Sequence, residues 1–156
     1  MAKEPINGDG WAVSSIDDLG EGPGFRKVRG PLGITAFGVN AIVLPPSWVT
    51  PKHSHERQEE LYLVLEGEIE IDLDGTTHRL GPGGLARVSP GTMRSLRNTS
   101  DATEATYFCV GGADGYVGRD GVTPDGSRSR ISASSTMSSG TASGGGSSPA
   151  LRRSIR

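Results

Sequence analysis

Residues 51–67, PKHSHERQEELYLVLEG, decide how the rest of the chain is read. His53 and His55 are one residue apart, so on a strand their side chains leave the same face and converge on one place. Glu60 follows after a spacing that allows a short turn. It opens the run Glu-Leu-Tyr-Leu-Val-Leu, which reads as a second strand. Two imidazoles and a carboxylate on neighbouring strands supply N and O donors suited to a first-row divalent metal. Tyr62 shares the parity of Glu60 and can bring a hydroxyl to the same pocket, although plain core packing explains it slightly better.

The same segment resembles the first motif of the cupin family, which runs His-x-His, three or four residues, Glu, six residues, Gly. His53, His55, Glu60 and Gly67 match it. Downstream, GGLARVSPGTMRSLRN (residues 83–98) resembles the second motif, with Gly83, Gly91 and Asn98 in register. Three positions depart from the pattern. Ser47 replaces a glycine, Ser89 replaces a proline that has moved to Pro90, and Arg94 stands where the family places its fourth metal ligand, a histidine. The resemblance implies an all-β fold, a double-stranded β-helix or jelly-roll barrel, and a homodimer. It also implies Fe, Mn, Ni or Zn held by His53, His55 and Glu60.

Arg94 complicates the metal. A guanidinium stays protonated and has no lone pair to donate, so beside a dication it adds repulsion unless an anion lies between them. Without metal, Arg94 and Glu60 can neutralise each other, even as a bidentate pair. Arg94 can also clamp a ligand carboxylate or phosphate. The metal-bound and metal-free readings both stay open.

Working outward, short strands alternate with glycine and proline turns. Residues 34–44 (ITAFGVNAIVL) read as a strand stopped by Pro45-Pro46, residues 48–55 as the histidine strand, and residues 60–65 as a strand buried on both faces. Residues 68–73 alternate strictly, Asp74-Gly75 is a hairpin turn, and residues 76–80 return from it. Residues 85–88, 93–98 and 103–110 complete the set. His78 is expected to be exposed, and Cys109 to be a small buried side chain rather than a nucleophile. Residues 111–126 are rich in glycine and aspartate, and can fold over the barrel mouth or a dimer edge, with Tyr116, Val117 and Val122 as anchors.

Composition agrees with this organisation. At 156 residues, with 33% hydrophobic content, 24 glycines and 10 prolines, the chain suits one turn-rich β domain joined to something unfolded. Residues 1–10 are expected to be loosely held and residues 11–126 to form the barrel. Residues 127–156, rich in serine and glycine, are expected to be a disordered tail. That tail holds five arginines and no acid, so the formal charge of −2 leaves residues 1–126 at −7, which does not invite nucleic acid. One cysteine, no signal-peptide core and no apolar run of membrane length lead to the expectation of a cytoplasmic protein without membrane contact. The functional expectation is a cupin barrel binding a small anionic organic ligand, with Arg94 and Tyr62 contributing contacts. The alternatives are a metal-dependent dioxygenase or isomerase using His53, His55 and Glu60, and a non-catalytic scaffold.

Overall fold

The computed structural model describes residues 1–128. A short hairpin of β1 (Ile6–Gly8) and β2 (Trp11–Val13) comes first, within and just after the stretch expected to be loosely held. One 3-10 turn at Asp17–Leu19 leads to β3 (Gly24–Lys27) and β4 (Gly38–Leu44). Then come β5 (Ser54–His55), β6 (Glu59–Glu66), β7 (Ile69–Leu73) and β8 (Thr76–Leu80). The last four are β9 (Leu85–Val88), β10 (Arg94–Asn98), β11 (Ala105–Gly112) and β12 (Gly121–Val122). All strand pairings are antiparallel. The fold is the all-β jelly roll expected from the sequence.

A five-stranded sheet, in the order β3-β4-β11-β6-β9, faces a second sheet built on β10-β7-β8. The core between them is formed by Ile42, Leu44 and Val64 from the first sheet and by Ile69, Ile71 and Leu96 from the second. Residues 48–53 run antiparallel beside β10, with Thr50 N donating to Leu96 O at 2.8 Å and His53 N to Arg94 O at 3.0 Å. The expected histidine strand therefore lies where it was placed, but only its last two residues form a regular strand. Pro51 interrupts it, because proline has no amide hydrogen to give the ladder.

Two other strand expectations need correction. The strand expected from residue 34 starts at Gly38, and Ile34 instead packs over the outer face of the five-stranded sheet together with Val28, Leu19 and Leu32. β6 is buried on one face only. Its outward residues Leu61 and Leu65 are 44% and 40% exposed in the single chain, so the second layer expected over that face does not come from the described residues of the same chain. The tail expected from residue 127 lies outside the described residues, except for Ser127 and Arg128. Ser127 N donates to Asp125 Oδ1 at 2.9 Å, and Arg128 pairs with Glu56 at 3.2 Å.

Two motif residues have structural roles. Gly67 has φ 73°, and a Cβ there would lie 2.8 Å from that of Ala105, so the tight link between β6 and β7 needs a glycine. Asn98 is buried, and its amide donates to the carbonyls of Leu44, Pro45 and Thr103 at 3.2, 3.1 and 2.8 Å. It staples β10 to the ends of two loops. No helix among the described residues is long and apolar enough to cross a membrane.

Candidate metal and anion site

β5 with the residue before it, and β6, bring His53, His55 and Glu60 together, with one ligand atom from each lying within 4.8 Å of the others. The rings of His53 and His55 meet edge to face, their centroids 5.2 Å apart. His53 Nδ1 lies 3.0 Å from the carbonyl oxygen of Pro51. A carbonyl can only accept, so this contact places the proton on Nδ1 and leaves Nε2 with its lone pair free. Burial, followed by the Arg94 charge, outweighs the Pro51 contact and holds the imidazole below its usual pKa, which favours the neutral, metal-binding form.

His55 is held at both nitrogens. Its Nδ1 meets Gln58 Nε2 at 2.8 Å, and its Nε2 lies 3.2 Å from Glu60 Oε1. Asp120 Oδ2 is 3.7 Å from the same Nδ1 and accepts the backbone amides of Arg57 and Gln58 at 3.1 and 2.9 Å. Asp120 comes from the C-terminal strap, where β12 pairs with β5 through Gly121 and His55. Neither Gln58 nor Asp120 was expected from the sequence. Gln58 sits near the motif without belonging to it, and no spacing points to an acid so far down the chain.

Glu60 is nearly buried and shared among several partners. The Tyr62 hydroxyl donates a short hydrogen bond to Oε2, and Arg94 Nη2 reaches the same oxygen at 3.2 Å. Burial alone would raise this carboxyl, but the His55 hydrogen bond and charge, the Tyr62 hydroxyl and the Arg94 charge outweigh it and hold the pKa at about 2. Glu60 is therefore a carboxylate at neutral pH. Burial pushes the Tyr62 and Cys109 groups well up, so the hydroxyl acts as a donor and the Cys109 thiol is not an activated nucleophile. Gly111 makes room for the cluster, since a Cβ there would lie 2.7 Å from Gln58 Oε1.

Arg94 is fully buried, and its pairing with Glu60 differs from the bidentate fork considered above. Nη2 takes the carboxylate while Nη1 donates to Thr92 O at 2.7 Å, so only one hydrogen bond reaches Glu60. Nε has no partner among the described residues. Arg94 does not line the cavity that opens over the cluster. That cavity, of about 610 Å³, is lined by His53, His55, Glu60 and Tyr62, and by Lys27, Arg29 and Arg119, three cations that the sequence did not single out. The strap over residues 116–121 forms one wall, so the glycine-rich segment does fold over the mouth. His78 is exposed, as expected.

A divalent metal fits this donor set. His53 presents a free Nε2 and Glu60 is ionised with Oε1 turned away from Arg94, so together with His55 they would offer N and O donors to one ion. His55 would bind through Nε2 once Nδ1 carries its proton, with the Asp120 carboxylate 3.7 Å away to balance that proton. Arg94 supplies no fourth ligand.

The family model for the cupin domain matches residues 41–111, a span from β4 through most of β11 that contains the whole cluster. Over 62 residues the chain is 36% identical to quercetin 2,3-dioxygenase of Bacillus subtilis, covering 40% of this chain and 18% of that protein. Over 79 residues it is 29% identical to protein SchB of Streptomyces halstedii, covering 51% and 57%. The chain thus spans from under a fifth to just over half of these relatives' lengths. Among solved structures, it superposes on a cupin-superfamily sugar phosphate isomerase of Silicibacter pomeroyi with a TM-score of 0.54 and 26% identity, covering 67% of this chain and 74% of the other. The motif residues, the antiparallel barrel and the matched span agree: the chain carries a cupin domain over residues 41–111.

Proposed function

We propose that this cupin binds a small organic anion in its cavity, with a divalent transition metal held by His53, His55 and Glu60. The observation that carries the reading is the distribution of charge. Lys27, Arg29 and Arg119 line the cavity, whereas its two carboxylates are already engaged within the protein, Glu60 by Arg94 and Tyr62 and Asp120 by two backbone amides. A ligand entering this space meets free positive charge and little free negative charge. A bound metal would act as a Lewis acid toward a coordinated oxygen.

Arg94 contributes at a distance. It neutralises Glu60, so an incoming dication is left without a compensating charge from its own carboxylate, and an anionic ligand supplies that charge. Tyr62, on the cavity wall, gives its one hydroxyl proton to Glu60 and so positions that carboxylate, offering a ligand only an acceptor oxygen.

A second reading, a metal-dependent oxygenase or isomerase, draws on the names of the relatives and on one feature of the site. Two histidines and one carboxylate leave coordination positions open for a substrate and a second reactant. A non-catalytic scaffold is disfavoured, because it leaves the free Nε2 of His53 and the cations lining the cavity without a role.

The test is elemental analysis of protein purified without an affinity tag, followed by calorimetric titration with Zn(II) or Mn(II) and a panel of small carboxylates. Near-stoichiometric metal together with carboxylate binding supports the proposal. Absence of both, with no uptake of added metal, would refute it.

A further inference from the structure

The cavity has two chemically different ends. One is the cluster of His53, just before β5, His55 on β5 and Glu60 on β6. The other is Lys27, at the end of β3, with Arg29 just beyond it. Neither cation, nor Arg119, takes part in an ion pair among the described residues. Arg29 is nevertheless held in place, its guanidinium carbon 3.8 Å from the centroid of the Tyr116 ring on the strap and Nη1 3.4 Å from the carbonyl of Ile34.

Strand register fixes how far apart the two ends lie. Lys27 pairs with Asn40, Asn40 with Cys109, and Cys109 with Tyr62, so these four side chains form one row across the five-stranded sheet. All four line the cavity. At about 4.8 Å per strand, Lys27 and Tyr62 are separated by roughly 14 Å between backbones. Side chains reaching inward from both ends leave a gap the size of a short aliphatic chain. Its floor is apolar, with Phe25, Ile42 and Tyr107 in the next row. Trp48 borders the same space, and its indole Nε1 is a buried donor without a partner among the described residues. A ligand with one acidic group would leave one end of this cavity unanswered.

We infer that the ligand is a dianion with two separated acidic groups, one at the His53, His55 and Glu60 centre and the other on Lys27 and Arg29. This inference rests on the metal-and-anion reading above and specifies its substrate class. The distal group can be a carboxylate or a phosphate, since both accept from ammonium and guanidinium donors.

The experiment titrates the Mn(II)-loaded full chain with glutarate, with 3-phosphonopropionate, and with valerate, a monoanion of the same carbon number as glutarate. Glutarate or the phosphonate is expected to bind about tenfold tighter than valerate, the charge-assisted contacts making the difference. Whichever dianion binds more tightly identifies the distal group. In Lys27→Gln, and in Lys27→Gln combined with Arg29→Gln, the ratio of dianion to valerate affinity should fall toward one. Lys27 is exposed, so the single variant tests the contact even if loss of the Arg29 stacking on Tyr116 destabilises the double variant. Equal affinity for glutarate, the phosphonate and valerate in the wild type, with valerate binding, would overturn this inference and leave the underlying reading intact. A dianion advantage that persists in Lys27→Gln and in the double variant would also overturn it. If no anion binds and no metal is taken up, both readings fail.

Discussion

Arg94 Nη2 lies 3.2 Å from Glu60 Oε2, and this buried pair joins β10 of one sheet to β6 of the other through the barrel interior. The contact balances the one carboxylate of the cluster, at the position where the family resemblance leads a fourth metal ligand to be expected. Arg94 is thus both a structural cross-link and the residue that sets the charge of the site.

Arg94→His should raise divalent-metal affinity. The change removes a fixed positive charge near the cation and adds a neutral imidazole donor, so the gain should be at least about tenfold. Arg94→Ala removes the repulsion without adding a ligand and should fall between, giving the affinity order His, Ala, wild type in Zn(II) titrations. Equal affinity in wild type and Arg94→His would mean that side chain 94 does not reach the metal.

Metal-free protein should lose stability in acid through Glu60. Its folded pKa of about 2 lies below the ordinary 4.5, so the carboxylate stabilises the fold above about pH 4.5, and that contribution fades as the pH falls toward 2. The shift corresponds to about 3 kcal/mol. Chemical denaturation at pH 6 and pH 3 should show a smaller loss for Glu60→Gln than for wild type. The variant will be less stable at pH 6, because it leaves the Arg94 charge buried without its partner.

Asp120→Ala should be costly at two levels. It strips the acceptor from two backbone amides near β5, at about 2–4 kcal/mol, and it loosens the setting of His55, lowering Zn(II) affinity about tenfold or more. Asp120→Asn keeps an acceptor oxygen and should recover most of the thermal stability. If Asp120→Ala melts like wild type, the strap does not anchor the histidine strand.

The homodimer implied by the family resemblance is proposed to form on the outer face of β6 and β9. Leu61, Leu65 and Leu85 are exposed there, while residues from Val28 to Ile34 of the same chain cover the other half of that sheet. The hairpin of β1 and β2 is a second open apolar element, with Ile6, Trp11 and Val13 all more than half exposed. An isolated hairpin is marginal, so a partner's sheet face is a fitting seat for it. Light scattering at micromolar concentration should give a dimer for wild type and a monomer for Leu61→Glu. A monomeric wild type would remove this interface.

The site was legible from the sequence as far as local spacing carried it. His53, His55, Glu60 and Tyr62 converge because strand parity dictates it, and Gly67 and Asn98 were recognisable as fixed points of a known pattern. Lys27, Arg29 and Asp120 were not legible, because their positions depend on register passed from β3 through β4 and β11, or on a strap returning over the mouth. Such long-range pairing leaves no trace in the spacing of residues. What covers the outer face of β6 was not legible either. A run of leucines reads as buried wherever it occurs, and only the assembled sheet shows which side has a cover.

The central claim, a metal centre that needs an anion to complete its charge, is tested most directly by measuring Mn(II) affinity calorimetrically on tag-free protein with and without saturating glutarate. Glutarate should tighten Mn(II) binding, and by reciprocity Mn(II) should tighten glutarate binding by the same factor. His53→Ala should abolish both effects. If the protein takes up no Mn(II) under either condition, or binds it with an affinity indifferent to glutarate, valerate and 3-phosphonopropionate, the account is contradicted.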